Sequence, residues 1–242
     1  MKKLIALLLS LALLLTCTAV FADAVPEEGE IQTANYQFQN LTGKVITSIT
    51  MTDNKTGEAL EFLENDTVLE PETILYSTIY VDASETKEDL EHRYTLSFKD
   101  ADGEVYEFKT LSFENVLIDL LAPDAMTGAT PIKFNPKMYQ IGKYKIINKT
   151  DKVLDAVTIT QNADPNNNST VMPAIGKDAF AYVDFIMDPD SEASHALTIE
   201  FTFDDGTKCS FEKLSIEEVS MTLTPDTITG ATPFTFGPID AE

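Results

Sequence analysis

The chain spells out one plan twice, and that duplication limits its folds more than any other feature. Thr127-Gly128-Ala129-Thr130-Pro131 returns as Thr229-Gly230-Ala231-Thr232-Pro233. Asn40-Leu41-Thr42-Gly43-Lys44-Val45-Ile46 returns as Asn148-Lys149-Thr150-Asp151-Lys152-Val153-Leu154. Leu96, Phe98, Asp102, Gly103 and Phe108 have counterparts in Ile199, Phe201, Asp205, Gly206 and Phe211. A unit copied in tandem must be able to fold around its own core, so the chain is expected to hold two similar domains.

Each copy reads as short strands broken by turn residues. Val45 to Thr52 is rich in β-branched side chains, and Thr73 to Val81 is a second such run. Tyr94, Leu96 and Phe98 alternate with Thr95 and Ser97, the period of a strand buried on one face. Asp102-Gly103 then turns the chain onto Val105 to Phe108, because glycine accepts the positive φ that tight hairpins need. Leu197, Ile199, Phe201 and Phe203 followed by Asp205-Gly206 repeat this in the second copy. About seven short strands per about 100 residues predict an all-β protein of two tandem immunoglobulin-like antiparallel β-sandwich domains behind a signal peptide. The expected divisions are a signal peptide over 1–22, an acidic leader over 23–32, one sandwich over 33–135, a linker over 136–142 and a second sandwich over 143–238. Ala59 to Leu63 carries the one weak helical signal.

Lys2 and Lys3 precede an apolar run from Leu4 to Leu15, with Ala22 or Ala24 as the cleavage position, which is the pattern of an export signal. A dozen apolar residues are too few for a comfortable membrane span, which needs about 20. Cys17 offers a lipid-anchored alternative, although Thr16 before it departs from the small residue that bacterial lipoprotein signals place there. With the signal removed, 17 − 2 = 15 basic residues face 40 acidic ones. Such a surface repels nucleic acid and anionic lipid, so neither is expected as a partner. Cys209 is then the single cysteine, no internal disulfide can form, and the fold rests on its apolar core. Tyr106 stands in its place in the first copy, which favours packing over thiol chemistry.

Candidate sites are sparse. The two histidines, His92 and His195, lie 195 − 92 = 103 residues apart at the same place in each copy. A metal site needs three or four converging ligands, so they read as duplicated rim residues. Asp100, Asp102, Gly103 and Glu104 resemble part of a calcium loop. The second copy has Phe203 for Asp100 and Thr207 for Glu104, so a hairpin turn is the better account. Asn162 to Thr170 is a polar loop that differs most from its counterpart, Asp53 to Thr67, and loops on a rigid scaffold often carry recognition. Asn40-Leu41-Thr42 and Asn148-Lys149-Thr150 match glycosylation triplets but read as turn composition. There is no nucleophile elbow, no Ser-x-x-Lys accompanied by its partner motifs and no phosphate loop. Tryptophan is absent, and the 14 phenylalanines fall mostly at alternating positions expected of a core. No catalytic, cofactor-binding or metal-binding residue is assigned, and no cofactor is expected.

Asn40, Thr42, Gly43, Ile46, Leu69, Pro71, Leu96, Phe98, Asp100, Asp102, Gly103, Tyr106 and Phe108, in that order, resemble a loosely defined group of small secreted bacterial β-sandwich repeat domains. The second copy departs from the pattern at Asp151, Phe203 and Cys209. The resemblance implies secretion and fold, with no activity attached. The expectation from sequence is therefore a secreted, non-enzymatic bacterial protein, an extracellular binding or spacer module whose partner is an extracellular protein or glycan. A calcium-dependent or carbohydrate-binding module is the first alternative, and an extracellular hydrolase the second.

Overall fold

The computed structural model describes residues 18–20, 31–63, 67–123, 132–230 and 234–239. Most of the expected signal, Cys17 and the bulk of the acidic leader lie outside them, as does the first Thr-Gly-Ala-Thr-Pro segment. The chain divides into two compact units that meet in sequence between Met138 and Tyr139. Each is a β-sandwich, as the repeat predicts.

In the first unit a three-residue strand, Thr18–Val20 (β1), is followed by Ile31–Leu41 (β2), Ile46–Asp53 (β3), Ala59–Glu61 (β4) and Ile74–Asp82 (β5). A single helical turn, Lys87–Leu90 (α1), leads to Tyr94–Asp100 (β6), Val105–Leu111 (β7), Val116–Leu121 (β8) and Ile132–Asn135 (β9). One sheet has the order β1-β5-β2-β8-β9 and the other β4-β3-β6-β7. The second unit repeats them as Gln140–Asn148 (β10), Leu154–Gln161 (β11), Asn168–Val171 (β12), Phe180–Met187 (β13), Leu197–Phe203 (β14), Lys208–Leu214 (β15), Glu218–Leu223 (β16), a short helix Pro225–Thr229 (α2) and Thr235–Gly237 (β17). Its sheets are β13-β10-β16-β17 and β12-β11-β14-β15.

Most ladders are antiparallel, but β2 pairs β8 in parallel, and β10 pairs β16 in parallel. The first long strand thus joins the sheet of the last ones. Immunoglobulin domains divide their strands as ABED and CFG. Here the corresponding strands divide as DAG and CBEF, so the likeness is one of layered architecture, not of connection order.

Period-two burial along most of the long strands, such as β3, β6, β10 and β14, explains the two layers. Tyr36, Phe38, Ile49, Met51, Leu96, Phe98 and Ile118 are fully enclosed and form one core. Tyr144, Ile146, Val157, Ile159, Phe201 and Met221 form the other. Each large apolar side chain buried this way contributes about 2 to 3 kcal/mol, which lets domains of this size hold without staples.

One local expectation changes. Residues Ala59 to Glu61 form strand β4, not a helical turn, because the Glu61 carboxylate accepts from the Ser48 and Thr50 hydroxyls and the Ile49 N–H on neighbouring β3. Strand β2 already begins at Ile31 and β10 at Gln140. The N-terminal strand β1 falls inside the residues read as signal, and it pairs in parallel with β5.

Candidate functional site

Both histidines stand at left-handed backbone positions, φ 56° for His92 and 55° for His195. Each ring Nδ1 lies 3.1 to 3.2 Å from a carbonyl oxygen, Thr110 O in the first unit and Lys213 O in the second. A carbonyl only accepts, so Nδ1 carries the proton and donates. Each histidine N–H also donates to a serine hydroxyl, Ser112 and Ser215. The duplicated histidine therefore ties the start of β6 or β14 to the neighbouring strand. Among the described residues no group of three or more His, Cys, Asp or Glu is placed to hold a metal ion.

The Asn-x-Thr triplets have a structural reason that sequence reading missed. Asn40 is completely buried, and its amide donates to Lys44 O and Leu69 O, both at 2.8 Å. Its side-chain oxygen accepts from the N–H and the hydroxyl of Thr42. Asn148 and Thr150 reproduce every one of these bonds, with Lys152 O and Ile175 O as acceptors. Both amide protons are spent inside the domain, which gives each triplet a structural role. Next to each hub, Glu72 and Asp178 take positive φ and donate their N–H to the hub carbonyl at 2.7 Å. The tyrosines four residues earlier in the same strands behave alike: Tyr36 Oη donates to Ser112 O and Tyr144 Oη to Ser215 O. Burial drives both phenols well above their ordinary range.

The calcium-like loop is already saturated. Asp100 is buried, and its Oδ1 accepts from the N–H groups of Asp102 and Glu104 at 3.0 Å. Its Oδ2 meets Lys44 Nζ at 2.8 Å, and Lys44 also reaches Asp102 at 2.7 Å. The Lys44 ammonium holds the Asp100 carboxyl below the usual carboxylate range. In the second unit Lys152 turns instead to Asp205 and to the Thr207 hydroxyl. Gly103 and Gly206 close the two hairpins at φ 86° and 80°.

A buried charge cluster in the first unit also escaped the sequence reading. Arg93, the only arginine in the chain, donates Nε and Nη2 to Asp53 Oδ2 at 2.9 and 2.7 Å. Its Nη1 lies 3.0 Å from Glu85, an ion-pair distance without hydrogen-bond alignment. The other oxygen of Asp53 accepts from the N–H groups of Lys55 and Thr56. Burial opposes ionisation of Asp53, but Arg93 and the two N–H donors outweigh it and hold the carboxyl low. A lone arginine beside several acids was the available signal.

The Asn-rich loop is tied to β14, to the end of β11 and to itself. Asn162 accepts from the Thr198 hydroxyl, Asn167 donates to Gln161 Oε1, and Asn168 donates to Pro165 O. Cys209 pairs across from Phe201 as Tyr106 does from Phe98. Burial, with the Glu200 charge, pushes its thiol up to about 11, which suppresses the reactive thiolate.

The units also differ on the outer face of the β13-β10-β16 sheet. Phe180 and Tyr182 project there, 46% and 37% exposed, with ring centroids 5.6 Å apart. Lys145 sets its ammonium 4.5 Å from the Phe180 centroid and 5.7 Å from that of Tyr182. In the first unit the counterparts of Phe180 and Lys145, Ile74 and Gln37, are buried, whereas Tyr76 stands where Tyr182 does and is partly exposed.

No protein-family model and no curated protein matches the chain. Among solved structures, a protein of Eubacterium rectale is 18% identical over 43% of this chain and 92% of its own, with a TM-score of 0.27. The TIE protein of Bacillus anthracis is 8% identical over 79% of this chain, which spans only 34% of that protein's length, with a TM-score of 0.22. A candidate cell adhesion protein of Bacteroides fragilis is 11% identical over 83% of this chain and 85% of its own, with a TM-score of 0.27. Among the described residues, no helix is long and apolar enough to cross a membrane.

Proposed function

We propose that the chain is an extracellular, non-catalytic protein of two sandwich repeats that binds a partner or spaces one surface from another. One observation carries this reading: the polar residues that recur in both units are consumed by the fold. His92, Asn40, Thr42 and Tyr36 each bond to backbone or neighbouring polar groups, and His195, Asn148, Thr150 and Tyr144 make the same bonds. The export pattern at the N-terminus and the strongly acidic mature chain support a place outside the cell.

The calcium alternative loses its principal ligand, since Lys44 and two N–H donors already occupy Asp100. The test is capture of partners from culture and cell-wall extracts by the mature chain, alongside melting curves with calcium and a glycan panel. The reading expects a retained protein or glycan and no rise in melting temperature with calcium. Turnover of a substrate by the mature chain, or a calcium-dependent rise of several degrees, overturns it.

A further inference from the structure

Most of the described lysines meet a carboxylate, but Lys145 does not. Its ammonium lies over the Phe180 and Tyr182 rings, and no carboxylate among the described residues stands at ion-pair distance from it. Strand pairing fixes what surrounds it. Lys145 is opposite Tyr182 on one side and Ser220 on the other, while Ile147 is opposite Phe180 and Thr222. Thr222 in turn faces Thr235 on β17. These residues point outward, because Tyr144, Ile146, Val183 and Met221, which alternate with them, fill the core. Two such rows across four strands cover about 14 Å by about 7 Å. The rings lie at one end, the threonine hydroxyls at the other, and one positive charge between them. The next row is already engaged: Lys143 meets Glu218 at 3.2 Å, and Asp184 has a partner within the chain.

The chemistry of this face selects its ligand. Aromatic faces carry partial negative charge and attract the C–H groups on the apolar side of a sugar ring. Threonine hydroxyls both donate to and accept from sugar hydroxyls. The ammonium attracts a carboxylate within about 8 Å before salt screens it. A peptide finds less here, because the N–H and C=O groups of β10 are taken up by β13 and β16 and none is left for a backbone. A polyanion is repelled by the large excess of acidic over basic residues, so the ligand carries few charges. The first unit lacks this combination, with Gln37 for Lys145 and Ile74 for Phe180, both buried.

Resting on the reading of the chain as a binding protein, we propose that this face of the second unit binds a saccharide carrying a single carboxylate, such as a hexuronate or a lactyl-bearing hexosamine. The apolar side of the sugar stacks on Tyr182 and Phe180. The carboxylate pairs with the Lys145 ammonium on the side turned away from the rings, and the sugar hydroxyls reach Thr222 and Thr235.

The test is an NMR titration of the processed chain, residues 23–242, with three probes: glucuronate β-1,4-linked to glucose, methyl galacturonate glycoside and N-acetylmuramic acid. Saturable shifts centred on Lys145, Phe180, Tyr182 and Thr222 are expected with at least one probe, at a Kd of about 1 mM. Cellobiose has the shape of the first probe without its carboxylate, and should bind about fivefold more weakly because one partly exposed ion pair makes the difference. Lys145→Gln should abolish that preference and leave cellobiose binding unchanged. Tyr182→Ala should weaken both disaccharides by about tenfold. No shifts with any probe up to about 50 mM overturns the inference. So do shifts centred on other residues, or a preference for the carboxylate that survives Lys145→Gln. Where Tyr182→Ala does not fold, the shift map of the unsubstituted chain decides. A partner captured from extracts equally well by Lys145→Gln and by the unsubstituted chain, with no probe bound, would remove this site and leave the binding reading standing.

Discussion

Where the first domain fixes the end of β3 with Asp53, Arg93 and Glu85, the second fixes the end of β11 with Gln161, Ser191 and Asn167. Asp53 and Gln161 occupy the same position, as do Arg93 and Ala196 and, in the bend after β5 or β13, Glu85 and Ser191. In one domain a guanidinium spans two carboxylates. In the other, Gln161 donates to the Ser191 hydroxyl at 3.2 Å and accepts from Asn167 at 2.8 Å. The surrounding frame is unchanged: Gln32 and Gln140 each donate to three carbonyls of that bend. One fold thus accepts a charged or a neutral solution at the same place. The two differ in what a single deletion leaves behind.

Removing Arg93 strands Asp53 as a nearly enclosed carboxylate, and breaking one side of a buried pair costs about 3 to 5 kcal/mol. Removing Gln161 leaves a hydroxyl and an amide, each neutral, at a cost of about 1 to 2 kcal/mol. Arg93→Ala should therefore destabilise its domain by about 4 kcal/mol, and Gln161→Ala should destabilise its own by less than half as much. Denaturant titration followed by amide exchange, with peptides from β3 and β6 reporting on one domain and from β11 and β14 on the other, separates the two. Equal losses would mean that the guanidinium contributes no more than the neutral network.

The same contrast predicts unequal tolerance of acid. Asp53 and Asp100 both sit in the first domain, both are buried, and both are held below the usual carboxylate range, Asp53 against its burial by Arg93 and Asp100 by Lys44. An unfolded aspartate titrates near about 3.9. Depressed folded values mean that the stabilisation is complete above that pH and disappears as pH falls through the folded values. In the second domain Phe203 replaces Asp100 and Gln161 replaces Asp53. Its depressed carboxylates, Asp205 beside Lys152 and Asp151 beside Lys177, are exposed and screened by solvent. Between pH 5 and pH 2 the β3 and β6 amides should lose protection before those of β11 and β14, and Asp53→Asn should narrow the gap. Simultaneous loss in both domains would show that the buried carboxylates do not set the order.

The layers and most strands were legible in the sequence because alternation and turn chemistry are local. Val116 to Leu121 coincides with β8, and Asp102-Gly103 and Asp205-Gly206 close their hairpins as glycine's positive φ requires. What stayed hidden depends on partners far along the chain. Glu61 makes β4 a strand by reaching across to Ser48 and Thr50, and a propensity reading of Ala59 to Leu63 cannot contain that contact. Asn40 and Asn148 passed for turn residues because their acceptors, Leu69 O and Ile175 O, lie 29 and 27 residues away. The register of the parallel pairs β2–β8 and β10–β16 joins residues about 80 apart, beyond any periodic signal. Duplication was the one long-range signal in the sequence. It placed His92 and His195 at equivalent positions, and each makes the same carbonyl contact in its own copy.

The smallest expected difference concerns the stretch before the last strand of each copy. In the second domain Thr224 caps α2, with Thr227 N–H donating to the Thr224 hydroxyl at 3.4 Å and Thr224 N–H donating to the Thr227 hydroxyl at 3.2 Å. Pro225 fills the first helical position, where its missing N–H costs nothing, and Gly230 ends the turn at φ 73°. In the first copy Pro123 and Gly128 are retained, but the two threonines become Ala122 and Ala125, of which Ala125 lies outside the described residues. Alanine can supply neither half of a capping box. Thr224→Ala should therefore cost the second domain about 1 kcal/mol, and Ala122→Thr together with Ala125→Thr should stabilise the first by a similar amount. Paired denaturation midpoints read both effects. A gain in the first domain without a loss in the second would show that threonine acts there by some route other than capping. A loss without a gain would mean that the first copy does not form this turn even when given the residues that close it.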